Sequence, residues 1–594
     1  MDQLRWQSRP DGNQPFIDDQ GEVVAVVNGE LYEHEKYRKA LASEHSFKGK
    51  SDCEIVIALY KYYGQSFVSH LRGEFAFVLW DSKRRLLLAA RDRYGIKSLY
   101  YTIHDSRLLV ATEMKCFLKF GWKPEWCVRA LRGGTWQFGS KTFFRNVYKR
   151  VLETRSEEEM TKGVRERLME AVRLRLQADV PIGVYLSGGL DSSSIAGLIA
   201  HLVKHEGARL GSDTSGDLSQ LHCLTTQFDK DTGVDESEIA QRTAGWLGAQ
   251  FHAVHMDESA LASRFEDAAW YSESPFADVN GICKLALAEK AQSLGLKVVL
   301  TGEGSDEHFG GYSDFCPVAI QEPDLSWPPS HFPDPDRKRV WRDARENTGA
   351  TTFGDGAFNV PSSTRRMVNN THTVQVIAKV GYLPFLPWTD QYLSGSDPET
   401  LLVEAMDGQV REKMMNTWHP LNTSAYVWMK SFFPTVILRY CGDNMDMAHS
   451  MESRIPFLDH YLTEYANQLP PSLKMKYCPS LNTFDEKYIL RQAMRPFIPD
   501  EIYVQRKKKF SGPTKYKEGG PMHQALQRLL TKDNLDRLGF LDADEAQIYF
   551  ERAFREGDRL AFRNAMLIAH FVVISQRFGV KIAQPDLSQD DDVY

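Results

Sequence analysis

The sequence predicts a mixed α/β and α+β protein, with a β-rich N-terminal domain followed by a larger domain built on a parallel sheet. Three observations carry this reading. The chain has 594 residues, too many for one ordinary domain. Short apolar runs broken by Gly, Asn and Asp fill residues 20–150. Beyond residue 156, strand-like runs alternate with helical ones, as in sheets whose strands are joined by crossover helices.

In the first region VVAVVNGELY, FAFVLWD, LLLAARD and RLLVATEM read as strands. SDCEIVIALYKYYG, from Ser51, reads as a helix with Cys53 in its middle. Ser156 and Glu159 stand at capping-box spacing. Met160, Val164, Leu168, Val172 and Leu176 then recur every fourth residue, so an amphipathic helix opens the second domain. VPIGVYL precedes the helical SSIAGLIAHLVKH, LHCLTTQF precedes SEIAQRTAGWLGA, and LKVVLTGEG follows. Gly207 to Ser219 reads as a loop, and the Pro-rich Gln321 to Arg337 as a surface excursion. From about 340 to 580 the pattern is mainly helical, and QPDLSQDDDVY reads as an acidic tail. The predicted domains are 1–151 and 156–580, with the tail at 581–594.

Composition narrows the function classes. Hydrophobic residues make up 42% and charged residues 25%, and the net charge is −7, so no nucleic-acid footprint is expected. The one basic run, Arg506 to Lys509, reads locally as a solvated turn. The eight cysteines lack paired spacing, which argues against a zinc site or disulfide framework and fits a reducing, cytoplasmic setting. The start MDQLRWQSRP has no apolar core, and Ala565 to Ile574 contains His570 and reads as a buried helix rather than a membrane span.

The chemistry is concentrated in Ser187-Gly188-Gly189-Leu190-Asp191-Ser192-Ser193, placed between a strand and a helix. Glycines let backbone N–H groups approach a phosphate, and the helix N-terminus adds unpaired donors and positive potential. No G-K-[ST] ending follows, which disfavours γ-phosphate transfer. A ligand-free Gly turn is the plain alternative. The run resembles the pyrophosphate loop of the N-type ATP pyrophosphatases, enzymes that split ATP into AMP and pyrophosphate. A second motif, Thr301-Gly302-Glu303-Gly304-Ser305-Asp306-Glu307, sets carboxylates beside that loop. Carboxylates there make sense with Mg²⁺ between them and phosphate, and Asp191 and Asp306 are the metal candidates. An acidic helix start is the alternative.

The second motif resembles that of the asparagine synthetases, as do Glu452 to Asp459 (ESRIPFLD), Lys487 in EKYILRQAM, and the basic run ahead of Phe510-Ser511. The resemblance implies an adenine nucleotide α-hydrolase-like ATP pyrophosphatase domain, with Glu303 needed for the acyl-adenylate and Lys487 for both transition states. By position, Leu186, Thr226, Thr301 and Gly302 would lie near the nucleotide at the carboxyl ends of the strands, with core packing as the alternative for Thr226.

The N-terminal region resembles the class II glutaminase domain of the same family, an αββα sandwich. The matches are Asn28-Gly29-Glu30, Ser51-Asp52, Gly73-Glu74-Phe75, Arg91-Asp92 and Ala111 to Lys115. The resemblance gives Asn28, Gly29, Glu30 and Asp52 glutamine-binding roles, although Asn28-Gly29 alone reads as a hairpin turn. Family members begin Met-Cys-Gly and use that cysteine as nucleophile. This chain begins Met-Asp-Gln, and the glutaminase half-reaction is expected to be absent from it. The segment joining the two domains is also short.

The expected activity is amide formation using ATP and Mg²⁺, with aspartate as the acid and ammonia, another amine or glutamine as nitrogen source. A homodimer is compatible with the resemblance. Two alternatives stay open: an amide or β-lactam synthetase-like ligase of secondary metabolism, and a non-enzymatic nucleotide-binding paralogue.

Overall fold

The structure, a computed structural model, describes residues 12–133, 149, 151–213, 215–330, 332–352, 362–373, 383–393, 395–507 and 512–585. Its N-terminal sheet is antiparallel, with strands β1 (Phe16–Ile17), β2 (Val23–Leu31), β3 (Gly73–Asp81) and β4 (Leu86–Arg91) in that order. Alternation turns Val23, Ala25 and Val27 of β2 inward, where they meet Phe77 and Leu79 of β3. The Ile55–Tyr63 helix closes the same core with Val56 and Leu59. Cys53 lies in the short turn Asp52–Glu54 ahead of that helix, not in its middle.

Asn28 and Gly29 form no turn. They pair with Ala76 and Phe75 inside the ladder, and Gly29 takes φ 140°, where a Cβ would strike the Glu74 carbonyl. A hairpin of β5 (Tyr100–His104) and β6 (Arg107–Ala111) follows. The β5 strand escapes sequence reading because Tyr101 and Ile103 face outward and leave no apolar run to notice.

The expected capping box forms: Ser156 Oγ accepts from the Glu159 N–H, and the Glu159 carboxylate accepts from the Ser156 N–H at 2.7 Å. The Glu157–Arg175 helix then buries Met160, Val164, Leu168 and Val172. Beyond it lies a five-stranded parallel sheet of β7 (Ile182–Tyr185), β8 (His222–Gln227), β9 (Gln250–His255), β10 (Val298–Leu300) and β11 (Glu452–Arg454). The order is β11-β10-β7-β8-β9. From β7 the chain winds one way to β8 and β9, then returns to add β10 and β11 on the other side. The reversal falls between β7 and β10, the position at which open α/β sheets bind their ligands. Both faces are covered: Ile182, Val184 and Leu300 join one core, Tyr185, Leu224 and Val299 another.

The region read as helical also carries β11 and a hairpin, β12 (Met475–Cys478) and β13 (Thr483–Glu486), which delivers Lys487. The Pro-rich excursion is shorter than expected. Arg337 belongs to the Asp334–Thr352 helix and is buried, donating to the Ile320 carbonyl at 2.9 Å. The Arg559–Phe578 helix buries the Ala565–Ile574 stretch, His570 included. Among the described residues no helix is long and apolar enough to cross a membrane. Most of the acidic tail, from 586 on, lies outside the described residues.

The two sheets are joined by buried charges. Arg72 grips Asp459 through two N–H···O bonds of 2.9 and 3.0 Å, and Arg175 bridges Glu74 at 2.8 Å and Asp459 at 3.3 Å. The Ile455 N–H donates to Glu74 as well.

Candidate functional site

Strand β7 ends at Tyr185, and Leu186 continues the ladder by donating its N–H to Leu224. The chain then turns through Ser187-Gly188-Gly189 into the Leu190–Glu206 helix. The loop is braced from within. Ser192 Oγ lies 2.9 Å from Ser187 Oγ and accepts the Ser187 N–H at 3.0 Å, while Ser187 Oγ accepts the Gly189 N–H. Ser187 and Ser192 therefore shape the loop, and Ser193 Oγ is buried with no hydrogen-bond partner. Strand β10 ends one step away. Thr301 donates its N–H to Arg454 and keeps a buried, unpartnered hydroxyl. At Gly302 a Cβ would come within 2.9 Å of Asp191 Cβ and 3.1 Å of the Ser192 nitrogen. Glycine is what lets the two motifs touch.

Asp191 and Asp306 share one partner. Lys487 Nζ is 2.6 Å from both carboxylate oxygens of Asp191 and 2.6 Å from Asp306 Oδ1. Lys507 adds a second ammonium, 2.9 Å from Asp306 and 3.6 Å from Asp191. Ser305 Oγ also donates to Asp191. Burial works against the Asp306 charge, yet the two lysines hold its carboxyl down to about 2. The same carboxylates push the Lys507 ammonium up, against the opposing effect of burial. Lys487 is 2% exposed, buried rather than on the helix surface, and it caps its helix at φ 56°. In the basic run Arg506 faces out while Lys507 turns inward, and 508–511 lie outside the described residues.

No group of three or more His, Cys, Asp or Glu stands ready for a metal among the described residues. Asp191 and Asp306 offer the hard carboxylate oxygens that Mg²⁺ takes, and Lys487 and Lys507 engage both of them here. Thr226 is buried in β8, beside β7.

Glu303 follows Gly302 and faces a cluster that sequence reading missed. Lys284, from the Asn280–Ser293 helix, lies 3.3 Å from Glu303 Oε1 and 3.2 Å from Asp446 Oδ2. Tyr185 donates its hydroxyl to Asp446 at 2.8 Å, and its ring lies 4.2 Å below the Lys284 ammonium. Burial raises the Asp446 carboxyl to about 6, with Lys284 opposing it.

In the N-terminal sheet Glu30 pairs with Arg454 at 3.2 Å, and Arg454 is held by Glu452 at 2.7 Å. Asp52 accepts the Leu31 N–H at 2.6 Å. Cys53 donates its thiol to the Gly29 carbonyl, and burial pushes that thiol well above its ordinary value. It is no ready nucleophile.

The model of the asparagine synthase family matches residues 163–574. The chain belongs to the asparagine synthase family. A glutamine amidotransferase domain matches residues 2–119. Among relatives of this asparagine synthase-family chain, "Amidase chyE" of Penicillium rubens is 53% identical over 96% of this chain and 89% of its own length. "Amidase chry2" of Gibberella zeae is 52% identical over 97% and 89%. "Asparagine synthetase [glutamine-hydrolyzing] 1" of Bacillus subtilis is 26% identical over 88% and 81%. The family supports a carbon–nitrogen ligase that uses ATP. Lys284, Asp446 and Tyr185 carry no signature by which a family motif would have found them. They come from a helix, a second helix 162 residues later and an apolar strand.

Proposed function

We propose that the chain activates a carboxylic acid as its acyl-adenylate, releases pyrophosphate, and forms an amide with ammonia or another amine. The observation that carries this reading is the meeting of the 187–193 loop with Lys487, Asp191 and Asp306 at the reversal of the parallel sheet. In this reading the backbone N–H groups of Gly188 and Gly189 and the start of the Leu190–Glu206 helix take up phosphate charge. Lys487 and Lys507 stabilise the departing pyrophosphate, releasing their hold on Asp191 and Asp306 as they do so. Those two carboxylates would hold Mg²⁺, which neutralises polyphosphate charge when bound. Glu303 borders the acyl group, and the loop after β10 fixes its distance from the α-phosphorus.

The acid is the open choice between two readings. Aspartate follows from the family. Identity of 53% to an amidase against 26% to an asparagine synthetase favours an acid other than aspartate. For the nitrogen, Glu30 engaged by Arg454 and the raised Cys53 thiol favour ammonia or an amine over glutamine.

The test is pyrophosphate release with ATP and Mg²⁺, screened over aspartate and aromatic and aliphatic acids, with ammonia and glutamine as separate nitrogen sources. Asparagine formed from aspartate and ammonia supports the synthetase reading. Release with another acid supports the divergent ligase, and turnover with glutamine overturns the nitrogen assignment. Silence with every acid sinks the ligase reading and leaves a nucleotide-binding paralogue.

A further inference from the structure

We propose that Lys284 is a positioning residue for Glu303, one that ties down a single carboxylate oxygen so that the other accepts a proton from the attacking nitrogen. The proposal rests on the ligase reading above. Its observation is an asymmetry. Glu303 Oε1 has the Lys284 ammonium at 3.3 Å, while Oε2 is buried and has no hydrogen-bond partner. An ionised carboxylate oxygen without a donor is costly to bury, so Oε2 is the oxygen left free to accept from an N–H or O–H donor.

Lys284 itself is tightly placed. Asp446 Oδ2 and Glu303 Oε1 hold its ammonium from two sides, and the Tyr185 ring lies beneath it. Its side chain is 8% exposed and that of Glu303 21%, so Glu303 is the more accessible of the two. The groups facing Glu303 are Lys284 and, behind it, Asp446 and the Tyr185 hydroxyl. Cys441, on the stretch ahead of the Asn444–Ala448 helix, also faces the cluster. Lys284 is the one cation among them. Without it, Glu303 and Asp446 would be two carboxylates in one dry space, and such pairs do not both stay ionised.

The step served is the second half-reaction. The nitrogen lone pair forms the C–N bond at the acyl carbon, and the acyl C–O bond breaks with its electron pair leaving on the phosphate oxygen of AMP. One nitrogen proton passes to Glu303 Oε2 and from there to water. A base that must be ionised and aimed benefits from a buried cation that fixes one of its oxygens.

The experiment uses the full chain with Lys284→Met, Lys284→Arg and Glu303→Gln. The proposal expects Lys284→Met to lower the kcat of amide formation about 100-fold, the lower end of what a lost base costs, with the KM for ATP unchanged. The acidic limb of the kcat profile should move up by about one pH unit, and Lys284→Arg should restore most of both. A Lys284→Met enzyme with the wild-type pH profile, or an Arg variant as impaired as Met, overturns it. Infrared difference spectra at neutral pH give a readout free of turnover. A protonated-carboxyl band should appear in Lys284→Met, and the Glu303 share of it should be lost when Glu303→Gln is added; a band left unchanged belongs to Asp446 alone and overturns the proposal. Absence of the band from Lys284→Met overturns the proposal even where the wild type is active. A wild type that forms no amide with any acid sinks the ligase reading instead, and the infrared result still decides whether Lys284 keeps Glu303 ionised.

Discussion

Lys487 Nζ stands 2.6 Å from Asp191 and 2.6 Å from Asp306, so one buried ammonium ties the loop after β7 to the loop after β10. In Lys487→Met the two carboxylates keep Lys507 as the one ammonium between them, and Asp191 keeps the Ser305 hydroxyl. Removing one partner of a buried pair costs about 3 kcal/mol, the low end of the range because Lys507 remains. The pH dependence follows from Asp306. Its folded carboxyl is depressed to about 2 from 3.8, so its contribution to stability is full above the unfolded value and is lost as pH falls between the two. The difference in thermal midpoint between wild type and Lys487→Met should therefore be largest at neutral pH and shrink as pH drops through that window. A constant difference would show that the lysine acts through packing and not through the ion pair. Pyrophosphate release should fall at least 100-fold in the same variant.

Gly311 is where Lys487 passes to its partners. A Cβ at Gly311 would overlap Asp306 Oδ1 and Lys487 Cε. Gly311→Ala should cost about 1–3 kcal/mol as an overpacked site and lower pyrophosphate release about 100-fold by moving the ammonium. The KM for ATP and the kcat together test this. A variant with near wild-type turnover would mean that the lysine reaches phosphate by another route.

How far the site was legible depends on where its residues lie in the chain. Ser187 to Ser193 and Thr301 to Glu307 are contiguous, and each follows an apolar run, so their strand–loop–helix setting was visible in the sequence. Lys507 was partly visible. A run of like charges does not say which member turns inward, and here Arg506 faces out. Lys284 and Asp446 were invisible, because a lysine in KLALAEK and an aspartate in DNMDMAHS look like ordinary helix residues until β7 and β10 bring them together. Strand order was hidden for the same reason: β11 is three residues long and lies 152 positions beyond the end of β10, and only pairing reveals it.

Ser156→Ala serves as a control for stability without chemistry. Ser156 Oγ and Glu159 form the capping box of the Glu157–Arg175 helix. Losing the hydroxyl should cost about 1 kcal/mol. Thermal melts should show a small drop, and pyrophosphate release should stay at the wild-type rate. A large loss of activity would mean that this helix transmits strain to β7.

The joint between the two sheets makes the most demanding prediction. Arg72 and Arg175 face Glu74 and Asp459, two charges of each sign, all buried. Asp459 also caps the His460–Gln468 helix by accepting the Tyr461 N–H. Arg175→Met removes a cation that touches both acids and strands part of each, at a cost of about 3–5 kcal/mol. Arg175→Lys should recover only part of this, since one ammonium cannot reproduce the guanidinium's contacts with Glu74, Asp459 and the Ala171 carbonyl together. Adding Asp459→Asn to Arg175→Met should cost less than the sum of the two single changes, by about 1–3 kcal/mol, because the charge then left unpaired is smaller. The measurement is protease susceptibility across a urea series, which reads local opening. Cleavage within the N-terminal sheet should appear in Arg175→Met at lower urea than cleavage within the parallel sheet. Both sheets opening together would show that the joint is stronger than these four side chains and that the two halves unfold as one unit.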